Sequence, residues 1–360
     1  MIKVLVVDDS ALMRRLLGSV FRGNSDFDVA YARNGEEALA QLHSFLPDVI
    51  TLDVNMPVMD GIACLNRIML ERPTPTIMVS SQTEEGAAIT LEALTLGAVD
   101  FMTKPEGAMS LNMREFGPGL LAKVVTASTA RLRRSHRLAE RVRLKTGTIR
   151  DVRPDDVESF AEDDAVANVF GTGLVIVGTS TGGPPALDKL LSRLPAVFPW
   201  PVLIAQHMPA AFTGPFARRL NGLAPLEVTE LIRPTKMVRG NVYVAKGDAD
   251  VVVTLRDGVP AAAPVPSLPT YLWHPSVERL VNSAMEHFVP SRLIGVLLTG
   301  MGNDGVAAMT TLRTLGGRTI AEAEETAVVW GMPGELFKSG GAEAVLPIEG
   351  IADKLISWAK

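Results

Sequence analysis

Cysteine and long apolar runs are almost absent from this sequence, and each absence excludes a class of protein. The 360 residues include one cysteine, Cys64, which cannot form an internal disulfide and therefore fits a reducing compartment. No apolar stretch approaches the roughly 20 residues that a membrane-spanning helix needs. The first residues, MIKVLVVDDS, reach two acids after a short apolar run, which is not a signal-peptide pattern. We therefore expect a cytoplasmic protein that is not inserted in a membrane.

The sequence also has no excess of positive charge, and this argues against nucleic acid as a partner. The chain has 35 basic and 40 acidic residues, which give a net charge of -5. None of the usual DNA- or RNA-binding patterns occurs in it. The absence of a helix-turn-helix pattern also argues against a DNA-binding regulator.

Short apolar strands alternate with helices of about ten residues, first through position 120 and again from about Gly171. This alternation predicts an α/β protein with two domains, each a mostly parallel sheet covered by helices on both faces. We expect the first domain at 1–120 and the second at 171–360. Within the second domain, Val259–Pro269 is rich in proline and alanine, which predicts a loop.

The segment between the two domains, 121–170, has a different composition. A basic run at Arg131–Lys145 is followed by an acidic run at Asp151–Asp164, and neither has a strong strand pattern. We interpret the segment as a charged linker. The basic run is either a solvated helix face or a docking surface for an acidic partner.

Acidic side chains follow two strands of the first predicted sheet. Asp8 and Asp9 come directly after the first strand, and Asp53 follows the third. The carboxyl ends of parallel strands lie on one edge, so these carboxylates should converge and favour a hard cation such as Mg²⁺. A hydroxyl at Ser80 and an ammonium at Lys104 follow the later strands.

The acid pair, Asp53, the hydroxyl and the lysine occur in this order along the chain. On these residues, 1–120 resemble the receiver domain of bacterial response regulators, a flavodoxin-like fold. The resemblance implies that Asp53 accepts a phosphoryl group from a histidine kinase and that Mg²⁺ is bound beside it. The implied metal ligands are Asp8, Asp9, Asp53 and the backbone carbonyl of Asn55. The implied switch residues are Ser80, Phe101 and Lys104.

A glycine-rich turn opens the second domain. The apolar strand Gly173–Gly178 runs into Gly-Thr-Ser-Thr-Gly-Gly and then a helix that begins with proline. This fits the G-x-S-x-G pattern, in which a strand-to-helix turn exposes a nucleophilic serine, here Ser180. A phosphate cradle is the main rival, but the Gly-Lys-Ser/Thr ending is missing. A glycine-rich turn with an idle serine is the other alternative.

A nucleophilic serine needs a base and an orienting acid. Of the five histidines, His207 ends a predicted strand and should lie on the same sheet edge as the serine, with His274 as a weaker rival. Asp304 lies in a glycine-rich loop beyond another strand. Asp248 and Asp250 are the alternative acids.

These segments carry a second resemblance, on the motifs GTSTGG, QHMPAAFTGPFARRLN, VYVAKGD, HPSVERL, LLTGMGNDG and VVWGMP. Residues 171–360 resemble the catalytic domain of chemotaxis protein-glutamate methylesterases of the CheB type, which is doubly wound and Rossmann-like. The resemblance implies Ser180 as nucleophile, His207 as general base and Asp304 as its orienting acid, with no cofactor for the reaction. It implies hydrolysis of glutamyl methyl esters on chemoreceptors and deamidation of receptor glutamines. We expect backbone N–H groups of Met301 and Thr181 to stabilise the oxyanion.

Some positions depart from the family pattern. His274 stands where arginine is usual, Lys246 replaces a proline, and Asp250 stands near a position that is often histidine or arginine. The segment Ala321–Glu324 differs from the usual Ala-Gln-Asp-Glu. These positions fall in loops expected to contact the substrate, so they bear on which receptor is recognised rather than on the reaction.

The two resemblances together predict a regulated enzyme. We expect a monomer in which the first domain covers the Ser180 edge until phosphorylation of Asp53 releases it. A non-catalytic adaptor that only binds receptors is the alternative, and the presence of Ser180, His207 and Asp304 argues against it.

Overall fold

The computed structural model describes residues 1–81, 83–105, 109–132 and 173–360, with only the backbone described for 109–115. The chain divides into two compact units, Met1–Ser159 and Phe160–Lys360. Of the predicted charged linker, residues 133–170 lie outside the described part, and so does nearly all of the basic run. Among the described helices, none is long and apolar enough to cross a membrane.

The first unit is a five-stranded parallel sheet in the order β2-β1-β3-β4-β5. This is the flavodoxin-like order, as predicted. The strands are β1 Ile2–Val7, β2 Phe27–Ala32, β3 Val49–Asp53, β4 Thr76–Ser80 and β5 Asp100–Thr103. The helices are α1 Ala11–Phe21, α2 Gly35–Ser44, α3 Gly61–Glu71, α4 Glu84–Leu96 and α5 Met109–Ser128.

Side-chain caps set where the helices of this unit begin. The oxygens of Ser10, Asn34, Asp60 and Thr83 each accept a hydrogen bond from a backbone N–H in the first turn of the following helix. Because the caps directly follow strand ends or short loops, they hold the loops of the carboxyl edge in place. Helix α5 continues past position 120.

The second unit is built on a seven-stranded sheet in the order β15-β14-β13-β6-β7-β10-β8, with parallel pairing throughout. Its strands are β6 Leu174–Thr179, β7 Val202–Gln206, β8 Glu227–Leu231, β10 Asn241–Ala245, β13 Leu293–Leu297, β14 Arg318–Glu322 and β15 Ala344–Leu346. Its helices are α6 Gly183–Leu191, α7 Ala210–Asn221, α8 Val277–His287, α9 Val306–Thr314, α10 Met332–Lys338 and α11 Ile348–Trp358. The prediction of two α/β domains with mostly parallel sheets is confirmed.

The strand order reverses between β6 and β13. From β6 the chain moves outward through β7, and from β13 it moves in the other direction through β14. A crevice opens at such a reversal beyond the carboxyl ends of the strands, and α/β proteins bind ligands there. The loops after β6 and β13 carry Ser180 and Asp304, so both lie at this point.

One prediction for this unit was wrong. Val259–Pro266 is not a loop but β12, which pairs antiparallel with β11, Ala249–Arg256, and with the short β9, Thr235–Lys236. Proline disfavours a strand because it lacks a donor, but β9 pairs only with Ala261 and Ala262, two buried alanines that lie between the prolines.

Candidate functional sites

The three acids of the first unit converge as predicted. Asp8, Asp9 and Asp53 each offer a carboxylate oxygen, and these oxygens lie within 4.8 Å of one another. Asp8 and Asp53 are buried, whereas Asp9 is exposed. A cluster of hard oxygen donors of this kind suits a divalent cation such as Mg²⁺.

Lys104 bridges the two buried acids of this cluster. Its Nζ lies 3.0 Å from Asp8 Oδ2 and 2.8 Å from Asp53 Oδ2, and its backbone N–H donates to Ser80 O at 2.7 Å. Burial raises the pKa of Asp53, and the hydrogen bond and charge of Lys104 only partly oppose that rise. Burial alone lowers the pKa of Lys104, but the two carboxylates outweigh it and leave this pKa raised.

The other predicted switch residues lie on the neighbouring strand ends. Ser80 ends β4 and is paired in register with Thr103 of β5, and its hydroxyl donates to the carbonyls of Ser81 and Gly86 at 3.3 Å. Phe101 on β5 is 6% exposed, so its ring is packed inside the unit. The backbone N–H of Asn55 is 3.5 Å from Asp53 Oδ1.

In the second unit, Ser180 and His207 follow two paired strands. Thr179 of β6 is in register with Gln206 of β7, so the next residue of each strand leaves the sheet at the same edge. The His207 backbone N–H donates to Thr179 O at 3.1 Å, and the Gln206 amide donates to Ser180 O at 3.1 Å. The pairing of β6 with β7 therefore places the backbones of Ser180 and His207 next to each other at this edge.

The turn that carries Ser180 depends on glycine at two positions. Gly182 has φ +78°, a left-handed conformation that side chains disfavour, and a Cβ there would come 2.7 Å from Val328. At Gly183 a Cβ would overlap the Gln206 amide oxygen, and the Gly183 N–H donates to Ser180 O at 2.8 Å. Helix α6 begins directly after this turn.

His207 uses one ring nitrogen to contact Asp304. Its Nε2 lies 2.8 Å from Asp304 Oδ2, and both side chains are at least nine-tenths buried. The other nitrogen, Nδ1, is buried, and no described residue forms a hydrogen bond with it. A neutral imidazole with its proton on Nε2 would leave the Nδ1 lone pair available to accept a proton.

Asp304 is bound at the beginning of helix α8. Its Oδ1 accepts hydrogen bonds from Ser276 Oγ at 3.1 Å and Glu278 N at 3.0 Å, and its Oδ2 accepts one from Val277 N at 2.7 Å. With His207, this gives the carboxylate four donors. The positive end of the helix dipole also favours the charged carboxylate.

The rival acids and the rival histidine are engaged elsewhere. His274 Nδ1 lies 2.9 Å from Asp250 Oδ1, which also accepts the Ser276 N–H, and Arg279 donates to Asp250 Oδ2 at 2.8 Å. Burial alone would raise the pKa of Asp250, but these hydrogen bonds hold it below its usual value. Asp248 accepts a hydrogen bond from the first backbone N–H of helix α7.

Comparisons with known proteins identify both units. A family model described as CheB methylesterase matches residues 175–355, and one described as response regulator receiver domain matches residues 4–114. A Rhodopseudomonas palustris (strain BisB18) protein, "Protein-glutamate methylesterase/protein-glutamine glutaminase 2", is 52% identical over 99% of this chain and 98% of its own length. The chain belongs to the CheB methylesterase family.

Two further relatives agree with this assignment to the CheB methylesterase family. The Rhodospirillum rubrum protein named "Protein-glutamate methylesterase/protein-glutamine glutaminase 3" is 52% identical over 99% of this chain and 96% of its own length. The crystal structure of the Thermotoga maritima CheB methylesterase catalytic domain aligns with a TM-score of 0.50 at 37% identity. That alignment covers 52% of this chain and 98% of the solved domain.

In this member of the family, the loop after β13 packs against the turn that contains Ser180. Ser180 N–H donates to Thr299 O at 3.0 Å, and a Cβ on Gly300 would come 2.8 Å from the Ser180 side chain. Gly300 O in turn accepts the Met332 N–H at 2.8 Å. Met301 therefore follows a peptide that is held directly against the serine.

Three residues at this site were not predicted from the sequence. The Trp273 ring is stacked near-parallel to His207, with centroids 6.0 Å apart and an interplanar angle of 5°. Gln206 ties the two loops together through its amide, and Glu322 accepts a hydrogen bond from the Thr299 N–H. Gln206 and Trp273 lie within the quoted motif QHMP and just before HPSVERL, and this adjacency was the available signal.

Proposed function

We propose that this chain is a phosphorylation-activated serine hydrolase that removes methyl esters from glutamate side chains of chemoreceptors. It also deamidates receptor glutamines by the same route. The observation that carries the proposal is the 2.8 Å contact between His207 Nε2 and Asp304 Oδ2, with Nδ1 unbonded among the described residues. The names of its relatives as protein-glutamate methylesterases and glutaminases support the substrate class.

The reaction begins with proton transfer from Ser180 Oγ to His207 Nδ1 as the oxygen attacks the ester carbonyl. Asp304 keeps the Nε2 proton in place and stabilises the imidazolium that forms. Backbone N–H groups of Met301 and Thr181 stabilise the oxyanion, and each such donor is worth roughly 10²–10³ in turnover.

Breakdown of the tetrahedral intermediate completes the first half of the reaction. The bond to the methoxy group breaks, and His207 returns its proton so that methanol leaves. Water then attacks the glutamyl ester on Ser180, again with His207 as base, and releases glutamate. With a glutamine substrate, ammonia leaves instead of methanol.

The first unit supplies the control. Asp53 accepts the phosphoryl group from a chemotaxis histidine kinase, as a P–N bond breaks and a P–O bond forms. Asp8, Asp9, Asp53 and the Asn55 carbonyl would hold Mg²⁺, which when bound neutralises the phosphoryl oxygens. The phosphoryl group adds about two negative charges, which attract Lys104 and the Ser80 hydroxyl.

Phosphorylation then relieves inhibition of the esterase. We expect a monomeric cytoplasmic enzyme whose partners are methylated chemoreceptors and the kinase, without nucleic acid. The phosphoryl group can only shift an equilibrium between a covered and an open Ser180 if it favours the open state. Mg²⁺ with a small phosphodonor should therefore raise esterase activity in the full chain.

Two assays test this function. Methanol release from methylated receptor membranes should be lost in Ser180→Ala and kept in Ser357→Ala, a matched change at an exposed serine. Equal release from both variants would favour a non-catalytic adaptor. The gain from phosphodonor should disappear in Asp53→Ala and persist in Asp28→Ala, since Asp28 is an exposed acid of the same unit. If phosphodonor still raised the activity of Asp53→Ala, regulation through phosphorylation of Asp53 would be ruled out.

A further inference from the structure

Glu322 is a buried acid that the proposed reaction does not use. It ends strand β14 beside the site, and only 1% of its surface is exposed. Its Oε2 accepts a hydrogen bond from Thr299 N at 2.8 Å, and its Oε1 accepts one from Thr326 Oγ1 at 2.9 Å. Among the described residues, no basic side chain forms an ion pair with it. Burying a carboxylate without a cation is costly, so a glutamate at this position, where the family pattern has glutamine, calls for a reason.

Thr299, whose N–H Glu322 accepts, forms several hydrogen bonds with the turn that contains Ser180. Thr299 O accepts hydrogen bonds from Ser180 N and Thr179 Oγ1, both at 3.0 Å. Thr299 Oγ1 donates to Thr181 O at 2.8 Å. Thr299 thus forms hydrogen bonds with three consecutive residues, the proposed nucleophile Ser180 and its two neighbours. Glu322 in turn accepts a hydrogen bond from the Thr299 N–H.

The backbone of Glu322 anchors the other side of the same loop. Its carbonyl accepts a hydrogen bond from Trp330 Nε1 at 2.8 Å. The residue before this tryptophan, Val329, donates its N–H to Thr299 Oγ1 at 3.0 Å and accepts the Gly300 N–H at 3.0 Å. Displacement of Glu322 would therefore loosen the loop at both of its supports.

We infer that Glu322 is a positioning residue for ester hydrolysis, whose ionised carboxylate holds Thr299 and so sets Ser180 and the Met301 peptide against His207. The inference rests on the proposed function, because the placement matters only if Ser180 attacks the substrate. A hydrogen bond to an ionised acceptor is roughly twice as strong as one to a neutral acceptor. A displacement of about 1 Å at a reacting group can cost about 10²-fold in rate.

The surroundings of the carboxylate make this contribution depend on pH. Burial raises the pKa of Glu322, and the hydrogen bonds from Thr299 and Thr326 only partly oppose the rise. Two further charges act on it from neighbouring helices, Lys189 on α6, which lowers the pKa, and Glu349 on α11, which raises it. The ionised form, which grips Thr299 more strongly, therefore becomes populated at a higher pH than for an ordinary glutamate.

The test compares the wild-type chain with Glu322→Gln, which keeps the shape and one acceptor but cannot ionise. The ratio of their kcat values for methanol release should rise with pH, from near one where Glu322 is protonated to about five- to tenfold where it is ionised. KM should change little. Glu322→Ala, which leaves the Thr299 N–H without an acceptor, should lose about 10- to 100-fold at every pH.

The control is Glu286→Gln, which removes the charge of an exposed glutamate on helix α8 and leaves Glu322 and its hydrogen-bond partners unchanged. Its ratio to wild type should stay flat with pH, and the thermal melt of each variant reports whether it has folded. A flat ratio for a folded Glu322→Gln would overturn the positioning role. If Ser180→Ala still released methanol, the proposed function itself would fail, whereas an inactive Ser180→Ala with a flat Glu322→Gln ratio refutes only the inference.

Discussion

Replacing Asp304 by asparagine tests the role of the carboxylate at the start of helix α8. The two carboxylate oxygens face different backbone donors, Oδ1 the Glu278 N–H and Oδ2 the Val277 N–H. An amide has one oxygen and one NH₂ group, so in either orientation its NH₂ meets a backbone N–H. If the NH₂ takes the Oδ2 position, it also faces His207 Nε2 and favours the tautomer with the proton on Nδ1.

The magnitudes follow from these contacts. One unsatisfied buried donor costs about 1–3 kcal/mol, and loss of the anion from the helix N-terminus costs up to about 2 kcal/mol. The free energy of unfolding should therefore fall by about 2–4 kcal/mol, which lowers the melting temperature of a unit of this size by about 5–15 °C. A wrongly placed proton on the imidazole should lower kcat by about 10³–10⁴-fold.

Asp250→Asn is the matched control for Asp304→Asn. Asp250 accepts the Ser276 N–H at the start of the same helix, but its histidine partner is His274 rather than His207. Both variants should lose stability in urea unfolding, whereas only Asp304→Asn should lose nearly all methanol release. Comparable activity in the two variants would refute the reasoning.

Other changes have equally definite outcomes. In Lys104→Met the pKa of Asp53 should rise further, because burial remains and the ammonium is gone, and an unchanged carboxyl titration by ¹³C NMR would contradict this. Glu322→Gln should become more stable than wild type as the pH rises from below 4.5, because a raised folded pKa costs stability once the unfolded glutamate ionises. Urea titrations at several pH values measure the difference in unfolding free energy between Glu322→Gln and wild type. A difference that moves in favour of wild type as the pH rises would contradict the prediction. Gly182→Ala should lose about 1–3 kcal/mol in urea unfolding, since φ +78° strains alanine, and equal stability would remove that argument. Cys64, buried and with a pKa raised to about 12, should resist alkylation at neutral pH unless the unit unfolds.

The general form of the site could be predicted because parallel sheets align their strand ends. The serine, the histidine and the aspartate each follow an apolar strand, and such strands lie side by side in this fold. That argument needs only the position of each residue relative to its strand. It could not say which imidazole nitrogen faces Asp304, because ring orientation depends on contacts across the sheet.

The features that the sequence did not reveal are contacts between distant segments. Glu322 reaches Thr299, and Trp273 reaches His207, only after β13, β14 and the loop before α8 have been assembled. Strand β12 was missed for a different reason. Its prolines are tolerated because the pairing with β9 is confined to two alanines, and that short pairing has no local signature.

Covalent modification of Ser180 tests the central claim most directly. A fluorophosphonate reacts with a serine only where a base has activated its hydroxyl, and peptide mass spectrometry locates the phosphonyl group. We predict one label per chain, on Ser180, a parallel loss of methanol release, and much slower labelling in His207→Ala. Methanol release that continues after Ser180 has been stoichiometrically labelled would contradict the account.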